Sequence, residues 1–376
     1  MTNDGMARAI ILHQPKRLEI GAGAAARLGD WAVGHSRVLV LATPHTAGLA
    51  ARLGLPAGTQ VFTDVPPEPD DIALNAALSV ARAMQPDLVV GLGGGSVMDV
   101  AKLVACLWDG AQSLPDVVGP NKVARRLSAL AQVATTAGTG SEAGIRALVT
   151  NSQTKAKMAV ESPHMLADLA ILDPELTFSV PAAVTAATGV DAMAHCVEAF
   201  TNNRAHDLID GYARMGVNLV GRYLARCVAN GADAEARAGM MLASYYGGLC
   251  LGPVNTAAGH ALAYPLGTRL GLPHGLANAI IFPHVLAFNA TTRPEKTAEI
   301  MAALGLPPSS DPDTILDRTS GFCRGLGIEM RLSAHGAKAD DLALWAIEAH
   351  AIRRLMDNNP RYMLVDQVEA IYRAAF

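Results

Sequence analysis

The chain has 376 residues, 51% of them hydrophobic and 17% charged, with a formal net charge of −4. That length exceeds what one core usually supports, so two domains are expected. The slightly acidic balance, with no Lys/Arg run, argues against a nucleic acid or an anionic membrane as main partner, and no apolar run approaches the ~20 residues that cross a bilayer. The N-terminus lacks a basic-then-apolar leader pattern, so a cytoplasmic location is expected. The five cysteines, Cys106, Cys196, Cys227, Cys250 and Cys323, form no CxxC pair and sit mostly in apolar stretches, which reads as small buried hydrophobes.

In chain order, Arg37–Leu41 reads as a buried strand, Thr46–Leu53 as a helix and Gln60–Phe62 as a strand. Pro66-Pro67-Glu68-Pro69 is a turn. Asp70–Met84 has helical spacing of Ile72, Leu74, Ala77, Leu78 and Ala81, and Asp87–Gly91 is a further strand. This alternation predicts a mainly parallel sheet covered by helices. After Pro181 strand-like runs nearly vanish and Ala/Leu/Met-rich helical stretches dominate, with residues 307–314 as the clearest surface loop. The expectation is an α/β nucleotide-binding domain with a parallel sheet over residues 1–180, then an all-α metal-binding domain over 181–376.

Two turns in the first half suit a nucleotide. Leu88-Val89-Val90-Gly91-Leu92-Gly93-Gly94-Gly95-Ser96, followed by a helix from Val97 to Leu107, lets the backbone approach a pyrophosphate and aims free helix N–H groups at it. Asp99 and Lys102 lie in the first turns of that helix. The register Gly91-x-Gly93-x-x-Ser96 is not a full dinucleotide fingerprint, and a plain tight turn has the same look. The second turn, Thr135-Thr136-Ala137-Gly138-Thr139-Gly140-Ser141-Glu142, is dense in hydroxyls and glycines, although a capping loop has that composition too. Together they point to NAD or NADP.

In the second half Asp191 and His195 are four apart, on one face of a helix, with Glu198 further along the same stripe as a second-sphere acceptor. His260 and Tyr264 repeat that spacing, and His274 follows Pro273 at a helix start. One carboxylate and three imidazoles suit a divalent metal, and imidazoles in such apolar surroundings need a partner. An amphipathic helix whose histidine bonds a core partner would equally explain Asp191 and His195 alone. His13, His35, His45, His206, His335 and His350 lie in polar contexts and are expected in solvent. His164 and His284 each follow a proline and read as turn or helix-start residues.

The chain resembles the iron-containing (group III) alcohol dehydrogenases of the dehydroquinate-synthase-like superfamily. The resemblance is carried by Gly93-Gly94-Gly95-Ser96-Val97-Met98-Asp99-Val100-Ala101-Lys102, Thr135–Glu142, Ser162-Pro163, Asp173-Pro174-Glu175-Leu176-Thr177, Ala186–Ala192, His274–Ile280 and Asn359-Pro360-Arg361, in the family's order over about residues 10–375. It implies a nucleotide-binding domain, a helical domain and an active site between them. It also implies Asp191, His195, His260 and His274 as ligands of Fe²⁺, or of Zn²⁺. Gly94, Gly95, Ser96, Asp99, Thr135, Thr136, Thr139 and Lys157 match cofactor-contacting positions. The implied reaction is metal-assisted hydride transfer between a nicotinamide and an alcohol or aldehyde. The implied assembly is a homo-oligomer, a dimer or larger.

Three positions depart from the family pattern. Tyr264 stands where many members carry a histidine near the nicotinamide, so its acid–base role is in question. Thr43, in Ala42-Thr43-Pro44, stands where NAD-dependent members often have an aspartate for the ribose, which leaves NADP open. Arg146, with Arg269, suggests an anionic hydroxy acid or semialdehyde substrate, against a plain salt-bridge role. Competing readings are a metal-independent reductase like maleylacetate reductase, which usually has Asn in place of Asp191, a non-catalytic metal- or nucleotide-binding protein, and a metal hydrolase without cofactor.

Overall fold

The computed structural model describes residues 8–376, which fall into two compact units. One runs over Leu12–Ser179. The other runs over Val180–Phe376 and takes in the described residues before Leu12, which the sequence reading had assigned to the first domain.

The first unit is α/β. Its strands are β1 (Arg17–Ile20), β2 (Val38–Leu41), β3 (Gln60–Phe62), β4 (Leu88–Gly93), β5 (Gly119–Pro120), β6 (Ala129–Ala134), β7 (Arg146–Thr150), β8 (Lys157–Glu161) and β9 (Leu169–Leu172), with helices α1 (Arg27–Trp31), α2 (Asp71–Met84), α3 (Gly95–Leu107) and α4 (Leu114–Val117). Six strands form a parallel sheet in the order β1-β9-β6-β4-β2-β3. The continuous apolar runs in β2 and β4 follow from burial on both faces. Leu39, Leu41 and Val89 enter a core with α2 and α3, while Val38, Val40 and Val90 enter one with Leu28 and Leu53. A smaller sheet pairs β5, β8 and β7, and its antiparallel β7–β8 register sets Arg146 opposite Glu161.

The elements expected from Arg37 to Leu107 form, with three corrections. The segment after β2 is a 3-10 helix over Ala47–Leu53 rather than an α-helix. The helix after the glycines begins at Gly95, not Val97. In α2, Asp70 caps the first turn by accepting from the Ala73 N–H at 3.0 Å, and Leu74, Ala77, Leu78 and Ala81 are buried. Ile72 is 65% exposed, because two residues of helix rotate it to the side opposite Leu74.

In the second unit the regular structure is helical: α5 (Ala182–Thr201), α6 (Asp207–Ala229), α7 (Ala234–Leu251), α8 (Ala258–Leu270), α9 (His274–Asn289), α10 (Pro294–Ala303), α11 (Pro312–Gly325), α12 (Leu342–His350), α13 (Arg353–Met356) and α14 (Val365–Ala374). α5 packs against α6, α7 and α9 and is buried without interruption from Gly189 to Thr201, so it is the central rod of this unit. The expected loop at 307–314 ends early: Asp311 caps α11 and Pro312 occupies its first position. His206 is buried, not solvated, and caps α6 by accepting from the Leu208 N–H. His284 lies inside α9 rather than at its start, and burial pushes it down to about 4. All five cysteines are free and buried. Among the described residues no helix is long and apolar enough to cross a membrane.

Candidate metal centre and nucleotide-type turns

α5 presents Asp191 and His195 one turn apart, α8 presents His260 near its start, and His274 is the first residue of α9. Asp191 Oδ1 lies 3.9 Å from His195 Nε2, 3.6 Å from His260 Nε2 and 3.7 Å from His274 Nε2. The ligand atoms of all four residues fall within 4.8 Å of one another. Donors held at about 2.0–2.2 Å from one ion stand at most about 4.4 Å apart, so the three contacts to Asp191 suit a shared ion and the widest pair would draw in slightly around it. His260 Nε2 is buried with no hydrogen-bond partner, a costly orphan unless an ion takes its lone pair. The donor set therefore fits a divalent transition metal, with Fe²⁺ and Zn²⁺ suited alike.

Burial would raise Asp191, yet the His195, His274 and His260 imidazoles around it hold it far below the usual carboxylate range. Burial pushes His195 down to about 4, which keeps its imidazole neutral. Glu198 and Asp191 carry His260 up to about 10 against its own burial, so a cation that binds at Nε2 must displace a proton there.

Glu198, one turn beyond His195 on α5, has a definite task. It accepts the backbone N–H of His260 at 3.0 Å and that of Ala257, so it caps α8, whose own N-cap residue supplies no side chain. Its Oε2 also lies 3.2 Å from His260 Nδ1, close enough for an ion pair though off the hydrogen-bond direction. Gly259 permits this approach, since a Cβ there would stand 2.0 Å from Glu198 Oε1. Two residues that the sequence reading did not single out join the site. Asn278, one turn after His274, donates its amide to Asp191 Oδ1 at 2.6 Å. Arg354 donates to the Tyr264 hydroxyl at 2.9 Å, and the Tyr264 ring stands 6.1 Å from that of His274. The spacing His274–Asn278 was a readable signal; Arg354 had none.

In the first unit, β2 is flanked by β3 on one side and β4 on the other, so the chain reverses direction across the sheet between β2 and β4. Ligands of open α/β sheets bind outside the carboxyl ends of strands at such a point. Thr43 follows β2, and its hydroxyl meets that of Thr46 at 3.1 Å, while Thr46 donates to Leu92 O at 3.0 Å. Gly94, Gly95 and Ser96 follow β4. Thr135, Thr136 and Thr139 follow the adjacent β6, and Thr135 N–H donates to Gly93 O at 3.1 Å. A Cβ on Gly95 would come within 2.8 Å of Thr139 Oγ1 and one on Gly94 within 3.0 Å of Thr136 Oγ1, so the two turns face each other closely. α3 starts at Gly95 with no side-chain cap, which leaves its first N–H groups for an anion.

The other expected cofactor residues have partners of their own. Ser96 Oγ accepts the Glu68 N–H at 3.2 Å, and Lys157 pairs with Glu68 and donates to Thr150 Oγ1 at 2.9 Å. Asp99 accepts from Ser141 Oγ at 2.6 Å and from Leu148 N–H at 2.9 Å, which makes it a buried support of the second turn. Both arginines expected to meet an anionic substrate are paired: Arg146 with Glu161 at 2.7 Å, and Arg269 with Glu348. Across the β7–β8 ladder, that first pair is the ordinary consequence of register.

Glu142, in the second turn, is buried with Oε1 unpartnered, and burial raises its carboxyl from 4.5 to about 7 against the opposing charge of Lys102. Its folded pKa lies above its unfolded one, so ionisation is what folding penalises. The penalty is absent below the unfolded value, grows as the pH rises between the two and is full above about 7. Glu142→Gln, neutral throughout, is expected to exceed the wild type in stability by about 2–3 kcal/mol near pH 8 and to match it below about pH 4.5. Denaturant melts at both pH values test this, and a constant difference would refute it.

The first half of the chain, residues 15–174, matches the family model described as iron-containing alcohol dehydrogenase, and residues 185–376 match the C-terminal model of the same family. A curated relative, long-chain-alcohol dehydrogenase 1 of Geobacillus thermodenitrificans, is 36% identical over 324 residues, 84% of this chain and 82% of the relative. The solved structure of a 1,3-propanediol oxidoreductase superposes with a TM-score of 0.91 at 31% identity, covering 98% of this chain and all of the other. That of sulfoacetaldehyde reductase from Bifidobacterium kashiwanohense in complex with NAD⁺ superposes with a TM-score of 0.89 at 28% identity, over 98% of this chain and 99% of the other.

Proposed function

Since this chain belongs to the iron-containing alcohol dehydrogenase family, we propose that it interconverts a small alcohol and its aldehyde by hydride exchange with NAD or NADP, using iron, or zinc, held by Asp191, His195, His260 and His274. The observation that carries the reading is the buried tetrad: three imidazole Nε2 atoms within 3.9 Å of one carboxylate oxygen. When bound, the ion supplies Lewis acidity toward the substrate oxygen and the nicotinamide supplies or takes up the hydride.

The chain's own residues do the rest. Glu198 fixes the orientation of His260 from behind, and Asn278 holds the Asp191 carboxylate. Tyr264 presents its phenol beside His274, the most open ligand, where an uncharged or anionic substrate tail would lie. The N–H groups that open α3 and the hydroxyls of Thr136 and Thr139 receive the cofactor's pyrophosphate. Thr43, after the end of β2, puts no carboxylate at that position to repel the 2′-phosphate of NADP, so both nicotinamides are proposed as acceptable. The sulfoacetaldehyde reductase relative makes an anionic aldehyde compatible with this fold.

The test uses protein stripped by chelation, then reloaded with Fe²⁺ under anaerobic conditions or with Zn²⁺. Aldehyde reduction by NADH or NADPH is expected to vanish with the metal and return with it, and the cofactor's fluorescence to change on binding. Activity that survives chelation would remove the metal from the reading, and an unaltered fluorescence would remove the nicotinamide.

A further inference from the structure

Arg354 is held in place by a firm backbone. The two residues that follow it on α13, Leu355 and Met356, are buried. Asn358 donates its amide to Arg354 O at 3.1 Å and to Thr256 O at 2.8 Å, tying α13 to the segment that leads into α8, the helix of His260 and Tyr264. From there the exposed guanidinium turns to a neutral partner. Nη2 donates to the Tyr264 hydroxyl at 2.9 Å, and Cζ stands 5.6 Å from the ring centroid. Tyr264 in turn borders His274, whose side chain is 28% exposed while the other three ligands are nearly closed off. The guanidinium therefore borders the accessible edge of the tetrad.

Its charge is uncompensated. Neighbouring arginines are paired, Arg353 with Asp357 and Arg269 with Glu348, but among the described residues no carboxylate lies within ion-pair distance of Arg354. A phenol hydroxyl and π face position a guanidinium without neutralising it, and the fork of remaining N–H groups matches a planar or tetrahedral oxyanion.

We infer that Arg354, steadied by Tyr264, docks an oxyanion carried by the substrate, so that the substrate class is a short aldehyde or alcohol with a carboxylate or sulfonate at its far end. The inference rests on the metal-centre reading for the place of the reacting oxygen. It moves the anion contact from Arg146 and Arg269, which have carboxylates of their own, to a guanidinium that has none. The span from the His274 ring to the guanidinium is no more than two ring-sized steps, 6.1 Å and 5.6 Å, which a chain of a few carbons covers.

The experiment compares Arg354→Met and Arg354→Lys with the wild type, each full-length and metal-loaded, on succinate semialdehyde, sulfoacetaldehyde and butanal. In Arg354→Met the kcat/KM for a charged aldehyde relative to butanal is expected to fall roughly tenfold to a hundredfold, mostly through KM, with partial recovery in the Lys variant. The two charged probes separate carboxylate from sulfonate. Calorimetric titration of the zinc-loaded protein with 4-hydroxybutyrate reads the same contact without turnover and is expected to weaken in parallel. Equal losses on charged and neutral aldehydes would make Arg354 a support for Tyr264 alone and overturn the inference, as would a rise confined to the KM of the nicotinamide. If the wild type reduced none of the three aldehydes, the dehydrogenase reading would fail, while the titration would still decide Arg354.

Discussion

Asp191→Asn is expected to lower aldehyde reduction by roughly a thousandfold or more and to leave the purified protein nearly free of iron and zinc. Asp191 is the single anion among the four ligands, and its Oδ1 is the atom that the three Nε2 atoms surround. Asn keeps the volume and an oxygen for the Asn278 amide, so the buried site keeps its packing. What goes is the charge that draws a divalent cation into a pocket where Asp191 is 2% exposed. Lewis acidity contributes several kcal/mol to such reactions, and each 1.4 kcal/mol is a factor of ten. Elemental analysis with the kinetic assay checks both halves. A variant that lost its metal yet kept its rate would place this chain with metal-independent reductases, whereas a thermal melt close to the wild type's would exclude unfolding as the cause of any loss.

The sheet was legible because its central strands are buried on both faces and so read as unbroken apolar runs between glycine or proline signals. The pair Asp191/His195 was legible as one helical turn. That His260 and His274 reach the same point was not, because α6 and α7 separate α5 from α8 in the chain and helix packing, not spacing, brings them together; the resemblance to a family supplied it. Arg146, read as either a substrate contact or a salt-bridge residue, is paired with Glu161, a partner within reach of sequence reasoning. The turn-forming run Asn151-Ser152-Gln153-Thr154-Lys155 predicts a hairpin, and an antiparallel ladder across it sets Arg146 opposite Glu161. Arg354 left no trace, since an Arg353-Arg354 doublet with Asp357 nearby looks like an ordinary solvated helix end. That Lys102, in the first turns of α3, is buried was not legible from its spacing alone.

Lys102→Met is expected to destabilise the α/β unit by about 3–5 kcal/mol. Lys102 is 1% exposed, and its ammonium donates to Ser141 O at 2.6 Å, Ser141 Oγ at 2.7 Å and Arg146 O at 2.7 Å, with Asp99 Oδ1 at 3.6 Å. Burial pushes its pKa down, while Asp99 and Glu142 oppose that shift. Methionine fills most of the space but donates nothing, so two carbonyls, a hydroxyl and a carboxylate lose a buried partner at once. The same ammonium ties the turn at Ser141 and the start of β7 to α3, so its loss also loosens the threonines that face Gly94 and Gly95. For a unit of this size the expected drop in melting temperature is about 10–15 °C. Weaker NADH binding should accompany it while metal content stays near the wild type's, because the four ligands belong to the helical unit. Calorimetry, cofactor titration and elemental analysis on one preparation separate these effects. A variant that melted within about 2 °C of the wild type would show that the ammonium is replaceable and that the second turn holds its shape through Asp99 and the strand ladder alone.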